Sequence, residues 1–244
     1  VHDDLGSPPQ LTIKHFKKIG FIKTIKTYLI KINSGLYGKN YTNSFFIDLN
    51  LVYKVGGKKL LDKNPVHLTP GCKSFYLINK SSVNLRWIRY LYFSSQILNK
   101  KILNSNDTWL DIGSYYGGLQ SIIKNEKPSL KIFLLDFDYQ LCKSYLFLKE
   151  LYPKSEHILP DQITQKKLRN INKGSFVYIP IEKFKLIDLN KIKLLTNFFS
   201  FGEMRKRHFL HYYNKINNSN LKYLYMSNRF VSSPWFEKTY DTDL

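Results

Sequence analysis

Two aspartates and a glycine-containing loop are the residues whose types and spacing are best suited to chemistry. The stretch TWLDIGSYYGGLQSII, residues 108–123, passes from an apolar run through Asp111 and Gly113 into a helix-like segment. The next apolar run, KIFLLDFD, carries Asp136, 25 residues beyond Asp111. In parallel α/β sheets the ligand lies across the carboxyl ends of the strands, and the first loop cradles it. We therefore expect a nucleotide-like ligand at this loop.

The loop is poorly suited to a dinucleotide. Pyrophosphate needs a G-x-G-x-x-G loop, whereas this loop reads GSYYGG, with two bulky tyrosines in the space that the phosphates need. The carboxylate of Asp111 repels phosphate and suits a cationic amino-acid group, and Asp136 can accept hydrogen bonds from both ribose hydroxyls. The pattern favours S-adenosylmethionine, whose α-amino group and sulfonium are positive. The cofactor-binding residues predicted at this point are Asp111, Gly113, Tyr115, Gly117 and Asp136.

Alternatives remain for several of these residues. Asp138 competes with Asp136 for the ribose, and Asp111 and Asp136 could instead cap helices. Aromatic rings attract cations, so a group of four aromatic residues is placed to face a sulfonium: Tyr115, Tyr116, Phe198 and Phe199. Packing in the core is the competing role for Phe198 and Phe199.

From residue 106 onward, strand-like and helix-like segments alternate. The strand-like runs are TWLDI, KIFLLDF, SFVYIPI, IKLLTNFF and LKYLYMS. The helix-like stretches between them are GGLQSIIKNEK, YQLCKSYLFLKELY, DQITQKKLRNI and EMRKRHFLHYYNKI. This alternation predicts an α/β fold with a Rossmann-like, doubly wound, mainly parallel sheet over residues 106–244.

Residues 1–105 are predicted to form a mostly helical N-terminal extension. LTIKHFKKIGFIKTIKTYLIKI, residues 11–32, has helical apolar spacing and a lysine-rich outer face, which suits a helix packed on the protein body or lying on a membrane surface. A second helix is predicted over residues 81–98, capped by Ser81 or Ser82. The stretch KVGGKKLLDKNP, residues 54–65, is predicted to form turns.

LDIGSYYGG followed by LLDFD resembles the class I S-adenosylmethionine-dependent methyltransferases. The flanking stretches LRWIRYLYFSSQIL, FVYIPIEKF, TNFFSFGEM, HYYNKI and YLYMSNRF resemble, over about residues 80–230, the sugar O-methyltransferases found with bacterial surface-polysaccharide genes. The most specific part is Asn197 followed by Ser200-Phe201-Gly202-Glu203-Met204. The resemblance implies an enzyme that transfers a methyl group from S-adenosylmethionine to a sugar hydroxyl of a surface polysaccharide or its precursor.

The resemblance also assigns positions in the fold. TNFFSF becomes the fourth strand, which brings Asn197 to the methyl side of the cofactor as a further binding residue. The third strand is either FVYIP or HILPD, and in the second register Asp161 contacts adenine. The family has a glycine where this chain has Tyr115. A class I core has two strands after the fifth, and the 17 residues NRFVSSPWFEKTYDTDL are too few for them, so we expect a fragment truncated at its C-terminus.

Methylation of a sugar hydroxyl calls for a general base, because the hydroxyl is a poor nucleophile at neutral pH. Glu203, His208 and His211 follow the fourth strand, and the predicted catalytic residues are Glu203 first and His208 second. Helix capping is the alternative role for Glu203, and both histidines could be ordinary helix residues. The histidines are dispersed along the sequence, which disfavours a metal-dependent enzyme and predicts no metal site.

The net charge of +20 fits either a composition bias towards lysine or a basic surface for an anionic partner. We expect a sugar or glycan acceptor. A nucleic-acid methyltransferase is the first alternative, disfavoured because Asn197-Phe198-Phe199-Ser200 lacks the expected prolines, and a non-catalytic cofactor-binding module is the second. The absence of a long apolar run predicts no membrane span, and two widely spaced cysteines predict a cytoplasmic protein. Both a monomer and a homo-oligomer agree with the sequence.

Overall fold

The computed structural model describes residues 39–67, 75–78 and 81–228. The chain divides into two compact units, residues 1–96 and 97–244, and each is described by itself. The helix predicted over residues 11–32 lies outside the described residues.

The described part of the first unit is helical with one small hairpin. Its elements are α1 (Lys39–Lys54), α2 (Gly57–Lys63), the antiparallel strands β1 (Tyr76–Ile78) and β2 (Ser81–Val83), and α3 (Leu85–Asn99). Phe45, Leu49 and Val52 of α1 are buried at helical spacing. That spacing explains why the segment folds as a helix despite its many polar residues.

Two sequence predictions for this unit were wrong. Ser81 and Ser82 lie in β2, and the residue that caps α3 is Asn84, whose Oδ1 accepts a hydrogen bond from the Trp87 N–H at 2.9 Å. The stretch predicted as turns contains α2. Gly56, with φ of +84°, supplies the turn between α1 and α2, which lets a second helix begin at once.

The second unit contains a six-stranded, entirely parallel sheet, which confirms the predicted α/β class and mainly parallel sheet. The order across the sheet is β5-β6-β4-β3-β7-β8. The strands are β3 (Thr108–Ile112), β4 (Lys131–Asp136), β5 (His157–Ile158), β6 (Phe176–Pro180), β7 (Leu194–Phe198) and β8 (Tyr223–Ser227). β6 pairs with β4 and β5 is a two-residue edge strand, so the third strand is FVYIP and not HILPD.

Helices and short 3-10 turns connect these strands. The helices are α4 (Gly118–Glu126), α5 (Asp138–Leu151), α6 (Gln165–Arg169) and α7 (Lys206–Asn217). The 3-10 turns are Pro160–Gln162, Ile181–Leu186, Leu189–Lys191 and Phe201–Glu203. Within the described residues, no helix combines the length and the apolar character that crossing a bilayer requires.

Both faces of the sheet are covered, as in a doubly wound fold. The α4 face carries Trp109, Asp111 and the residues level with them on neighbouring strands, and it packs against α4 and α5. The α7 face carries Leu110, Ile112 and their neighbours, and it packs against α6, α7 and the turns before β7. Alternation along each strand separates the two sets.

The order in which successive strands are added to the sheet reverses at β3. β4, β6 and β5 lie on one side of it, whereas β7 and β8 lie on the other. The carboxyl ends of β3 and β7 therefore form a topological switch point, the place where open α/β sheets bind ligands.

Candidate functional site

The loop after β3 is a tight turn made of three residues in the left-handed region. Gly113, Tyr115 and Gly117 have φ of +78°, +54° and +92°. Glycine adopts this conformation without strain, whereas a bulky residue rarely does. Tyr115, the middle of the three, adopts this backbone conformation at a cost that a glycine would avoid. Such strain is typical of functional loops.

The tip of β7 is joined to the tip of β3 by polar side chains. The buried Asn197 donates from Nδ2 to the Ile112 carbonyl at 2.9 Å and to Ser200 Oγ, and its Oδ1 accepts from the Phe201 N–H at 3.1 Å. A Cβ at Gly113 would lie 2.5 Å from Ser200 Cβ. Asn197 therefore holds the two tips together, and the structure gives its amide group protein partners instead of an open position in a cleft.

Asp111 lies at the switch point but is buried, with 3% of its surface exposed. Its two oxygens accept hydrogen bonds from Thr196 Oγ1 and Gln120 Nε2, and the Trp109 indole N–H donates to Thr196 Oγ1 at 2.7 Å. Burial raises the pKa of Asp111 to about 7 against the effect of these hydrogen bonds, and the charge of Asp136 raises it further. The carboxyl group is thus held within the protein, beneath the loop.

Asp136 ends β4 and contacts the loop directly. Its Oδ2 accepts the backbone N–H of Tyr115 at 2.8 Å, and its Oδ1 accepts that of Phe137 at 2.8 Å. Burial raises the pKa of Asp136 to about 6, whereas the two N–H groups and the charge of Lys143 act in the opposite direction. Each carboxylate oxygen has a second lone pair, so Asp136 keeps capacity to accept hydrogen bonds from a ligand.

The structure brings Asp111 and Asp136 to neighbouring strand tips on the α4 face. Asp111 pairs with Leu134, and Asp136 follows Leu134 by two residues on the same face. Burial is the main cause of the raised pKa of Asp111, and repulsion by the charge of Asp136 adds a smaller contribution. A cation bound between them relieves that repulsion, whereas a phosphate adds to it. Asp138, the rival for the ribose, is exposed in the first turn of α5.

The four aromatic candidates divide into two pairs. Tyr116 is fully buried with its ring centroid 5.2 Å from that of Phe147, and Phe198 packs edge-on against Tyr225 at 5.2 Å. Tyr115, Phe198 and Phe199 are all partly buried, and of these Tyr115 and Phe199 have a positive φ, +54° and +72°. Core packing therefore accounts for Tyr116, and the two strained residues lie on the two loops that border the switch point.

The predicted bases lie at different depths. Glu203 is half-buried in the 3-10 turn after β7, and its N–H donates to the Ser200 carbonyl at 3.1 Å, which places it one turn from the switch point. His208 is exposed on α7, and partial desolvation followed by the charges of Arg207 and Arg205 lowers its pKa. The lowered pKa favours the neutral form of His208, which lies farther along the chain from the tip of β7 than Glu203 does. His211 is also exposed.

Three residues near the site were not predicted from the sequence. Ser114 Oγ, Gln120 Oε1 and Tyr212 Oη are buried and form no hydrogen bond in the described part of the chain. Burial and then the charge of Asp136 raise the pKa of the Tyr212 hydroxyl, which puts α7 within electrostatic reach of this strand tip. Buried polar atoms normally have partners. Ser114 lies within the loop and Gln120 follows it closely, so both could have been predicted as site residues from the sequence. Nothing in the sequence marks Tyr212.

Among residues 39–67, 75–78 and 81–228, no group of three or more His, Cys, Asp and Glu side chains is arranged to hold a metal ion. No protein-family model matches the chain, and a comparison with curated proteins gives no match either. The chemistry of the site must therefore be argued from its own residues.

Proposed function

We propose that the chain binds S-adenosylmethionine at the switch point and transfers its methyl group to a sugar hydroxyl. The observation that carries this proposal is the pair of carboxyl groups, Asp111 and Asp136, on one face of neighbouring strand tips. Both pKa values are raised chiefly by burial; a nearby cation would lower them and a phosphate would raise them further, so the pair favours a cationic ligand over a phosphate-bearing one. The strained, tyrosine-filled loop above them argues in the same direction.

The residues present fit this cofactor. Asp136 would accept the ribose hydroxyls through its remaining lone pairs. Gln120 already donates to Asp111, and its unpartnered Oε1 would accept an ammonium N–H, so that Asp111 acts on the α-amino group through Gln120. Ser114 Oγ offers a further acceptor or donor at the loop. When bound, S-adenosylmethionine supplies an electrophilic methyl group on a positively charged sulfur.

The chain's own contribution to methyl transfer is positioning and removal of a proton. The acceptor oxygen would receive the methyl group and give up its proton, so the chain's residues would have to hold that oxygen in line with the methyl donor and take up the proton. Holding the reacting atoms in line supplies up to about 7–11 kcal/mol of the barrier reduction. Glu203, one turn beyond Ser200, is the base that we favour for the hydroxyl proton. His208 is second, because its lowered pKa favours the neutral form that can accept a proton, although the residue is exposed.

The sugar acceptor rests on the resemblance of TNFFSFGEM and its flanks to sugar O-methyltransferases of bacterial surface-polysaccharide gene clusters. In the structure this stretch forms the end of β7 and the 3-10 turn, directly beside Gly113. The most specific part of the resemblance thus borders the site at which the methyl group would be transferred. We infer that the acceptor is a sugar of a surface polysaccharide or its precursor.

A non-catalytic cofactor-binding module is the second candidate. It is favoured by Asp111 and Asn197, whose polar atoms are taken up by protein partners, and by Tyr115 in place of glycine. A module of this kind would bind the cofactor without any need for Glu203.

Calorimetry with S-adenosylmethionine and its demethylated product tests the binding step. We expect saturable binding of both, and we expect Asp136→Ala to weaken it by about 10- to 100-fold, because charge-assisted hydrogen bonds contribute about 1.5–3 kcal/mol. Asp138→Ala is the matched control and should bind normally. Absence of heat with folded protein, or equal effects of the two variants, would reject the cofactor site.

Mass spectrometry of surface glycans, with and without the protein, tests the reaction. We expect a methyl-sized mass difference on one sugar, lost in Glu203→Gln although that variant still binds the cofactor. Cofactor binding without any methylated sugar would favour the non-catalytic module. Normal methylation by Glu203→Gln would remove Glu203 as the base.

A further inference from the structure

A cavity of about 280 Å³ lies at the amino-terminal edge of the sheet, at the opposite ends of the strands from the two aspartates. Thr108 and Lys131, which begin β3 and β4 and pair with each other, line it together with residues of α6 and of the segment 186–192 before β7. Its volume is near the lower end of the range for small-molecule sites, about 300–1,000 Å³. All of its lining residues belong to the second unit.

The lining combines an apolar surface with a positive charge. Its apolar side chains are Phe133, Leu168, Ile171, Leu186, Ile187 and Ile192. Lys131, Arg169 and Lys191 supply three positive charges, and Asp188 supplies one negative charge, which gives a net charge of +2. In the part of the chain that the structure describes, the three cationic side chains form no ion pair or hydrogen bond. They are therefore available to a ligand.

The occupant must match both properties. A phosphate monoester carries about −1.5 to −2 charges at pH 7, which complements the net charge of the lining. Arginine and lysine are the side chains that bind phosphate best, Arg169 through its planar fork. A bare anion would leave the apolar side chains uncovered, so an organic group must accompany the phosphate. The net positive charge disfavours a cationic ligand.

We propose that this cavity binds a small organic phosphate, with the phosphate among Lys131, Arg169 and Lys191 and the organic group against the apolar lining. The site is separate from the proposed cofactor site and has the opposite charge. The proposal does not depend on methyl transfer, so either can fail without the other.

Phenyl phosphate is a suitable probe, with inorganic phosphate and phenol as its two halves. Calorimetry on the full chain should show one site per chain for phenyl phosphate, with an affinity at least about tenfold higher than for either half, since both halves contribute to binding. Saturating S-adenosylmethionine should leave this affinity unchanged. Equal affinity for inorganic phosphate, or no saturable binding of phenyl phosphate, would overturn the proposal.

Two double variants of equal charge locate the site. Arg169→Gln with Lys191→Gln should weaken phenyl phosphate binding by at least about tenfold, because two charged partners are lost. Lys166→Gln with Lys173→Gln removes the same charge from exposed residues outside the cavity and should have no effect. All four side chains are exposed, so both proteins should fold, which circular dichroism checks. Equal weakening by both pairs would show a general polyanion surface and overturn the proposal.

Discussion

The carboxyl group of Asp111 is held by Thr196 and Gln120 and has almost no contact with solvent. Burial without a neighbouring cation favours its protonated form, which is why its pKa rises to about 7. The folded protein therefore binds a proton at Asp111 that the unfolded chain, with a pKa near 3.8, has released at neutral pH. Its stability depends on pH for this reason.

The direction in which stability changes with pH follows from the linkage between proton binding and folding. A raised folded-state pKa gives stability that is complete below about pH 4 and is lost as the pH rises through about 7. From pH 5 to pH 8 we expect this group to reduce the free energy of unfolding by roughly 1–3 kcal/mol. In urea unfolding, Asp111→Asn should remove this contribution and leave the smaller one of Asp136, whose pKa is raised to about 6, whereas the exposed Asp138→Asn should retain both. The same slope in both variants would contradict the assignment to Asp111.

Some features at the residue scale could be read from the sequence and others could not. The positions of Asp111 and Asp136 at strand ends follow from local apolar runs. The partners of Asp111 do not, because Thr196 comes from a strand 85 residues away and only the folded sheet brings it near. The sequence did not predict that the Asn197 amide group forms its hydrogen bonds with the protein itself, because these partners too are brought near only by folding.

At the scale of elements, the close contact between the tips of β3 and β7 should be sensitive to mutation. Gly113→Ala adds a Cβ both at positive φ and within 2.5 Å of Ser200 Cβ. We expect it to destabilise the protein by about 2–4 kcal/mol, from left-handed strain and overpacking together. Gly56→Ala has nearly the same φ, +84°, but meets nothing within 4 Å, so about 1 kcal/mol is expected from strain alone. Equal losses of the free energy of unfolding would contradict the close packing of the tips.

The start of α3 offers a test of the corrected helix cap. Asn84→Ala should cost about 1 kcal/mol of stability, because the Trp87 N–H loses its acceptor, and Asn84→Asp should retain it. Ser82→Ala should be neutral, since Ser82 lies in β2. Thermal unfolding of the three variants is the measurement. A loss in Ser82→Ala with none in Asn84→Ala would restore the original prediction.

Sheet elements were easier to predict than the helices before them. The strand β6 is buried at every position, which produces a continuous apolar run in the sequence. In α1 the buried Phe45, Leu49 and Val52 have helical spacing, but Phe46 and Ile47 are exposed and hide that pattern. Exposed apolar residues of this kind obscure the helical periodicity of the sequence, because that periodicity is visible only when the exposed face is polar.

At the scale of the whole molecule, the excess of 38 basic over 18 acidic residues dominates behaviour in solution. A composition bias predicts binding to any polyanion through counterion release, with no preference among RNA, DNA and heparin. We expect all three columns to retain the protein at low salt and to release it over the same salt range. Selective retention on RNA or DNA at higher salt would instead support the nucleic-acid alternative.

The hydrogen bond from the Tyr115 N–H to Asp136 has a consequence for ligand affinity. The acidic group that would receive a ribose already anchors the turn above it, so the turn is ordered before any ligand arrives. Backbone entropy there is lost when the chain folds and need not be lost again on association. The affinity for an incoming molecule would then not be reduced by the cost of ordering this turn.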